Sequence, residues 1–104
     1  MPRTVMVRYR VKAGRAEENE ALIREVFAEL GRAAPGGVRY ASFKADDGVS
    51  FVHIASIETA DGSNPLASLD AFKAFTKDIA ERCDEPPATT ELTPVGSYRA
   101  FDAK

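Results

Sequence analysis

Residues 38–58 read VRYASFKADDGVSFVHIASIE, and this stretch decides the fold. Apolar and polar residues alternate in residues 38–45 and 49–58, on either side of Asp46-Asp47-Gly48. Alternation with β-branched and aromatic residues is typical of strands. An Asp-Gly pair between two such runs indicates a tight turn, because glycine tolerates a positive φ. The stretch is therefore predicted to form an antiparallel hairpin.

Two further segments are predicted to be strands. Residues 4–12 alternate, which places Val5, Val7, Tyr9 and Val11 on one face. Residues 89–101 are predicted to form the last strand. Proline removes a hydrogen-bond donor from a sheet, so Pro94 and Gly96 place this strand at an edge or at a bulge.

Two segments have helical periodicity instead. Residues 15–33 and 69–83 are predicted to be helices, the second with Ser68 as N-cap and Pro86-Pro87 after its end. The apolar stripe of the first helix consists of Leu22, Ile23, Val26, Phe27 and Leu30. The stripe of the second helix includes Leu69, Phe72, Phe75, Ile79 and Cys83.

The resulting order, βαββαβ, predicts one α+β domain over residues 1–104 with a ferredoxin-like fold. Such a fold has a four-stranded antiparallel sheet with both helices on one face. The hairpin positions on the other face, Ala41, Phe43, Val52 and Ile54, are too apolar to be left in water. A second copy, packed sheet against sheet, is the simplest cover, so a homodimer is expected.

The turn also sets the register of the hairpin. With Asp47-Gly48 at the tip, Ser42 faces His53 and Tyr40 faces Ala55 on one surface of the sheet. By the same count, Lys44 faces Phe51 and Val38 faces Ile57. Tyr9, Tyr40, Ser42 and His53 should therefore converge, since Tyr9 lies on the apolar face of the first strand.

A histidine among hydroxyl groups can act as a general base near neutral pH. His53 is therefore the candidate catalytic residue, and Tyr9, Tyr40, Ser42, Phe51, Ile57 and Phe72 are candidates for binding a small apolar or aromatic molecule. The alternative is structural: a half-buried histidine donates to Ser42 or to a carbonyl group, and the tyrosines serve as packing.

Other functional classes lack their signatures. The net charge of −2 gives no reason to expect binding to nucleic acid, and the hairpin lacks the glycines and paired aromatics of RNA-recognition domains. One histidine and one cysteine supply no recognisable metal site, and neither a phosphate-binding loop nor a catalytic triad is evident. No cofactor and no metal are expected. The absence of a long apolar run and of a signal peptide predicts a cytoplasmic protein with no membrane partner.

The layout resembles the dimeric α/β-barrel superfamily, and within it the antibiotic-biosynthesis-monooxygenase-like family. The similarity extends over nearly the whole chain, through Val5-Met6-Val7-Arg8, Lys12-Ala13-Gly14, the hairpin, Leu69-Asp70-Ala71-Phe72 and Glu91-Leu92-Thr93-Pro94-Val95. These are loose patterns. The resemblance implies a barrel formed at a dimer interface, with a pocket in each subunit between its sheet and its helices.

The family's polar residues do not carry over. Its asparagine on the first strand corresponds to Val7, and its glutamate and tryptophan on the third strand correspond to Ala55 and Ile57. The histidine that holds haem in the haem-degrading members corresponds to Phe72. Haem degradation is therefore disfavoured. The connector between Ile57 and Leu69 is longer than is usual in the family, and it is expected to form part of the pocket entrance.

The resemblance implies a cofactor-independent monooxygenase or isomerase acting on an aromatic, quinol-like substrate. In that hypothesis His53 removes a proton, Tyr40 and Ser42 orient the substrate, and Lys44 favours its anionic form. The first alternative is a non-catalytic dimeric module that binds a ligand without reaction. The second is a purely structural dimer without a pocket, in which Phe72 and Phe75 pack tightly against Tyr9 and Ile57.

Overall fold

The computed structural model describes residues 3–98. Four strands and three helices, with one short 3₁₀ helix between them, make up this part of the chain. In chain order they are β1 (Arg3–Val11), α1 (Ala16–Ala33), β2 (Val38–Lys44), β3 (Ser50–Ile57), the 3₁₀ helix Pro65–Ser68, α2 (Asp70–Thr76), α3 (Ile79–Arg82) and β4 (Cys83–Leu92).

The four strands form one antiparallel sheet in the order β2-β3-β1-β4. Along β3, buried and half-buried residues alternate without exception, and the buried ones pack beneath the helices. The predicted ferredoxin-like α+β fold is therefore confirmed.

The hairpin has the predicted register. Lys44 pairs with Phe51, Ser42 with His53, Tyr40 with Ala55, and Val38 with Ile57. Gly48 has a φ of 80°, and the Asp47 carboxylate accepts hydrogen bonds from the backbone N–H groups of Val49 and Ser50. The turn residues thus stabilise the connection that sets which side chains share a face.

The helix α1 also agrees with its prediction, beginning one residue later than expected. Its apolar stripe packs on the sheet in two clusters of buried side chains. One cluster contains Tyr9, Val11, Val26, Phe51, Phe75 and Cys83. The other contains Ala55, Ile57, Leu66 and Leu69. His53 lies between them on β3, two residues from Phe51 and two from Ala55.

The prediction of a single second helix over residues 69–83 was wrong. The segment is divided into α2 and α3, because Asp78 adopts the left-handed conformation with a φ of 62°. Ser68 is not the N-cap of α2. That position belongs to Leu69, whose side chain caps nothing, and the Glu29 carboxylate accepts from the N–H groups of Asp70 and Ala71 instead. A carboxylate from α1 thus takes the place of a local cap.

The last strand was placed too late in the chain. β4 starts at Cys83, which was assigned to the helix, and Pro86-Pro87 lie inside the strand rather than after a helix. β4 is an edge strand, as predicted, and its pairing with β1 shifts register between Arg8 and Val11, opposite the prolines. An edge strand tolerates missing N–H donors. Pro94 and Gly96 follow the strand, and Phe101 lies outside the described residues.

The face of the sheet away from the helices is partly apolar. Ala41, Val52 and Ile54 are half-buried there, and Phe43 is 39% exposed. Arginines of this face form ion pairs with acidic residues. Arg10 lies 3.1 Å from Glu85 and Arg39 lies 3.3 Å from Glu58. Glu91 pairs with Arg3. This surface is called the open face below.

Candidate functional site

The imidazole of His53 is the centre of a buried polar cluster. β3 directs it towards the helices, where it is only 4% exposed. Its Nδ1 atom lies 2.7 Å from Ser42 Oγ and 2.8 Å from Tyr40 Oη. Both hydroxyl groups come from β2, two residues apart, so the hairpin register alone brings them to the same nitrogen.

The other nitrogen of His53 faces β1. Nε2 lies 2.7 Å from Tyr9 Oη, and Asn19 on α1 donates from Nδ2 to the same tyrosine oxygen at 2.8 Å. Asn19 in turn accepts at Oδ1 from Arg82 Nε at 3.2 Å. The cluster therefore runs from the end of α3 through α1 and β1 to the hairpin. Tyr9, Asn19 and Arg82, the members of the cluster beyond His53, are also buried.

Aromatic rings enclose the imidazole. Tyr9 and Tyr40 lie nearly parallel to it, with ring centroids 5.3 and 5.8 Å away, and Phe75 is tilted at 5.3 Å. Phe27 of α1 stacks on the outer side of Tyr40 at 5.2 Å. The surroundings are thus apolar except for the hydrogen-bonding groups themselves, and the imidazole is almost completely shielded from solvent.

Burial controls the ionisation of this cluster. Desolvation lowers the pKa of His53 from 6.5 to about 4, so the imidazole is neutral at physiological pH. Burial also raises the pKa of Tyr40 to about 12 and raises the pKa of Tyr9 further. The cluster therefore carries no charge of its own near neutrality, apart from the Arg82 guanidinium at its far end.

Two clefts open along the gap between α1 and β2, which is called the α1–β2 seam below. The first, the Ser42 cleft, has a volume of about 220 Å³ and is lined by Glu20, Ile23, Arg24, Ser42, Lys44 and Phe51, among others. The second, the Tyr40 cleft, has a volume of about 350 Å³ and is lined by Phe27, Leu30, Gly31, Pro35, Val38 and Tyr40, among others. The second volume lies within the range of small-molecule pockets.

The candidate binding residues divide into two groups. Tyr40, Ser42 and Phe51 line one cleft or the other. Neither cleft is lined by His53, Tyr9, Ile57 or Phe72. The His53 cluster thus reaches the seam through the hydroxyl-bearing side chains of β2. The binding and catalytic roles of all these residues remain predictions.

The long connector after β3 does not form the entrance that was expected. Its Leu66 is buried and, with Leu69, packs against Ala55 and Ile57. This segment therefore covers one end of the sheet, and neither cleft is lined by it.

The arrangement also bears on the purely structural hypothesis. Phe75 lies 6.3 Å from the Tyr9 ring and Phe72 contacts the cluster that contains Ile57. The packing that this hypothesis requires is therefore present around His53. The clefts of the seam lie outside that packing, on the side of β2.

Sequence reasoning missed two members of the polar chain, Asn19 and Arg82. A signal was available for each. Asn19 stands three, four and seven residues before Leu22, Ile23 and Val26, so it continues the apolar stripe of α1 towards its first turn. Arg82 likewise follows Phe75 and Ile79 at spacings of seven and three. A polar residue on an apolar stripe indicates a buried group that needs a partner.

The positions that correspond to the family's polar residues lie among apolar side chains. Val7 pairs with His53 across the sheet, while Ala55 and Phe72 pack in the apolar clusters. Within residues 3–98, no group of three or more histidine, cysteine, aspartate or glutamate side chains is placed to hold a metal ion. No helix in the same range is both long and apolar enough to cross a membrane.

The chain is similar to several solved structures over nearly its whole length. Rv0793 from Mycobacterium tuberculosis aligns with a TM-score of 0.75 and 18% identity, over 93% of this chain and 98% of that one. An antibiotic biosynthesis monooxygenase aligns with a TM-score of 0.72 and 18% identity, over 92% and 100%. The chain has the antibiotic-biosynthesis-monooxygenase fold. The suspected resemblance is thereby confirmed at the level of the fold.

A further neighbour has a described activity. An asparagine-to-alanine variant of SnoaB, a cofactor-independent oxygenase from Streptomyces nogalater, aligns with a TM-score of 0.67 and 17% identity, over 92% of this chain and 95% of that one. At such identities the likeness concerns the fold alone. No family model matches the sequence, and neither does any curated protein.

The neutral, buried His53 predicts an acid-dependent loss of stability. The pKa of this group is about 4 in the folded chain and about 6.5 in the unfolded chain. The unfolded chain therefore binds more protons between these values, and the stability that His53 confers is lost as pH falls through them. Between about pH 7 and about pH 4.5 the free energy of unfolding should fall by about 2 kcal/mol more in the wild type than in His53→Gln. Urea unfolding at both pH values measures the difference, and equal losses in the two proteins would contradict it.

Proposed function

We propose that this chain is a homodimeric α/β-barrel protein that binds a small aromatic, quinol-like molecule in the α1–β2 seam. The observation that carries the proposal is that the buried polar cluster reaches the protein surface at this seam. Ser42 and Tyr40 each contact His53 Nδ1 and also line a cleft. A ligand in the seam would therefore meet apolar walls and a few fixed polar groups, as small molecules usually do in protein sites.

The Tyr40 cleft suits a planar ring. Phe27, Val38 and Tyr40 line it, and the rings of Phe27 and Tyr40 stack on each other. Offset stacking against such rings contributes on the order of 1 kcal/mol beyond the burial of apolar area. The Tyr40 hydroxyl group then provides the polar contact that orients the ligand.

The homodimer is supported by the open face. Three half-buried residues, Ala41, Val52 and Ile54, form an apolar band, with Phe43 at its side. The ion pairs Arg10–Glu85 and Arg39–Glu58 flank this band. A patch with an apolar centre and paired charges of both signs at its margins is suited to self-association about a two-fold axis.

Turnover is the second candidate function, and a specific observation favours it. The pKa of His53, about 4, leaves the imidazole unprotonated at neutral pH, and two hydroxyl oxygens compete for its Nδ1 atom. A substrate that replaced one of them would place its phenolate or enolate oxygen within hydrogen-bond reach of the imidazole, which would stabilise the negative charge. The reaction would be a cofactor-independent isomerisation, or an oxidation with dioxygen as the oxidant. Lys44 is paired with Glu20 at 2.8 Å, so its proposed effect on an anionic substrate is shared with that carboxylate.

Filling the Tyr40 cleft tests the binding site. A Cβ atom added at Gly31 meets nothing within 4 Å, so we expect Gly31→Leu to leave the fold intact and to place an isobutyl group in the cleft. We expect the affinity for 2-naphthol, measured by calorimetry, to fall at least about tenfold, since an occupied cleft excludes the ring. Ala28→Leu, on the exposed side of the same helix, is the matched control and should bind as the wild type does. Equal affinities in all three proteins would place the ligand elsewhere.

The dimer is tested by its mass in solution. We expect light scattering to give the mass of two chains for the wild type at micromolar concentration. Ile54→Lys should give the mass of one folded chain, because burying an unpaired ammonium group at the centre of the interface is costly. Ala28→Lys, away from the open face, should remain dimeric. A wild-type mass of one chain would refute the assembly.

The two candidate functions differ in the effect of removing the imidazole. If turnover occurs, quinols and phenols should cause oxygen uptake in the wild type that falls at least about a hundredfold in His53→Gln. Uptake that is unchanged by this substitution would assign His53 a structural role. Substrate binding without uptake in either protein would leave the binding function and eliminate the oxidation.

A further inference from the structure

Arg82 begins a chain of hydrogen bonds that neither function explains by itself. Arg82 is 3% exposed, and among residues 3–98 none of the ion pairs includes its guanidinium group. It donates instead to the backbone carbonyls of Phe75 at 2.7 Å and Lys77 at 3.4 Å, and to Asn19 Oδ1 at 3.2 Å. Its planar group also lies 5.5 Å from the centre of the Phe75 ring.

A guanidinium group sets the direction of every bond that follows, because it only donates. Asn19 must turn Oδ1 towards Arg82, so its Nδ2 faces Tyr9 and donates to the phenolic oxygen. The hydroxyl hydrogen of Tyr9 then points away from Asn19. The remaining polar atom beside it is His53 Nε2, at 2.7 Å.

The position of the hydrogen on the imidazole follows from this direction. If Nε2 carried it, the hydroxyl hydrogen of buried Tyr9 would face two donors and have no acceptor, which costs about 1–3 kcal/mol. If Nε2 instead accepts from Tyr9, every group is satisfied. The hydrogen of the neutral ring then resides on Nδ1 and points to Ser42 and Tyr40.

We propose that Arg82 and Asn19 are positioning residues that hold His53 in the tautomer with its hydrogen on Nδ1, and that the seam consequently takes a ligand bearing a carbonyl or oxyanion oxygen. The first half concerns the free protein. The second half rests on the proposed function and names the ligand class for it.

The ligand class follows from a count of hydrogens at Nδ1. When Nδ1 donates, it needs a hydroxyl oxygen of Ser42 or Tyr40 as acceptor, and neither hydroxyl hydrogen is needed at Nδ1. At least one of the two hydroxyl hydrogens is then directed away from His53, towards a cleft. With Nδ1 accepting, both hydroxyl hydrogens would turn inward and the clefts would meet only oxygen lone pairs. The tautomer therefore decides whether the seam offers a donor or an acceptor.

The rim of the Ser42 cleft agrees with an electron-rich ligand. Lys44 and Arg24 both contact Glu20, at 2.8 and 3.1 Å, so two cations share one carboxylate. An exposed rim of this kind contributes little free energy, but its net positive charge favours an anionic oxygen over a cationic group.

Nitrogen-15 NMR tests the tautomer directly, because His53 is the only histidine in the chain. In the wild-type protein near pH 7, Nδ1 should give the signal of a protonated nitrogen and Nε2 that of an unprotonated one. A hydrogen on Nε2 in the wild type would overturn the proposal without any variant.

Asn19→Asp is expected to reverse the tautomer by changing one group. Its carboxylate still accepts from Arg82, but it also accepts from the Tyr9 hydroxyl, so Nε2 should become protonated. Asn64→Asp introduces the same charge at the N-cap of the 3₁₀ helix and should leave the signals unchanged. A folded Asn19→Asp protein with an unprotonated Nε2 would overturn the role of Asn19.

The ligand class is tested with two probes of similar shape, 2-acetylnaphthalene and 2-ethylnaphthalene. Calorimetry should show the ketone binding roughly tenfold more tightly to the wild type, since it alone accepts a hydrogen bond, and equally to Asn19→Asp. Equal affinity of the two probes for the wild type would overturn the ligand class. Failure of both to bind would refute the proposed function together with the ligand class, whereas the NMR result would still decide the tautomer.

Discussion

The hydrogen bond between Tyr9 and His53 joins the two central strands inside an otherwise apolar core. Both side chains are almost completely buried, so each needs a partner in the protein. Asn19 and Arg82 supply the remaining partners from two different helices. A shift of one residue in the pairing of β1 with β3 would leave several buried polar groups unsatisfied, and so would a rotation of α1 about its axis. The polar chain thus favours a single arrangement of sheet and helices.

The same series of hydrogen bonds stabilises the division of the second helical segment into α2 and α3. The break at Asp78 interrupts the backbone hydrogen bonding between α2 and α3. Arg82 donates to the carbonyls of Phe75 and Lys77 at this break, so one guanidinium group satisfies both the helix end and Asn19. Placing its positive charge at the C-terminal end of α2 is also favourable for the helix dipole. Fold and polar cluster are consequently stabilised by the same side chain.

The ligand site is proposed at the point where this series of hydrogen-bonded side chains approaches solvent. Its outer members, Ser42 and Tyr40, lie on the edge strand β2, and the seam beside them is not covered by α2 or α3. The open face lies on the opposite side of the sheet and is proposed to pack against a second copy. In this proposal one surface of the sheet serves assembly and the other encloses the site. In this account the aromatic walls provide affinity, and the direction of the hydrogen bonds provides selectivity.

The sequence predicted what local chemistry determines. An Asp-Gly turn fixes the hairpin, so the contacts of His53 with Tyr40 and Ser42 could be derived before any coordinates. The bounds of β4 could not, because Pro86-Pro87 resemble a helix end and are tolerated only because β4 lies at an edge with a shifted register. The break at Asp78 was not predicted either, because helical spacing of apolar residues continues on both sides of it, and its left-handed backbone is evident only in the structure. Asn19 lies in a stretch rich in glutamate that reads as a solvated first turn, although its spacing from Val26 places it on the buried face.

The direction of the polar chain is the central claim, and neutron diffraction from a deuterated crystal tests it most directly by locating each hydrogen. The account predicts a deuterium on His53 Nδ1, the hydroxyl deuterium of Tyr9 directed at Nε2, and the amide nitrogen of Asn19 directed at Tyr9. A deuterium on Nε2, with the Tyr9 hydroxyl directed elsewhere, would contradict it.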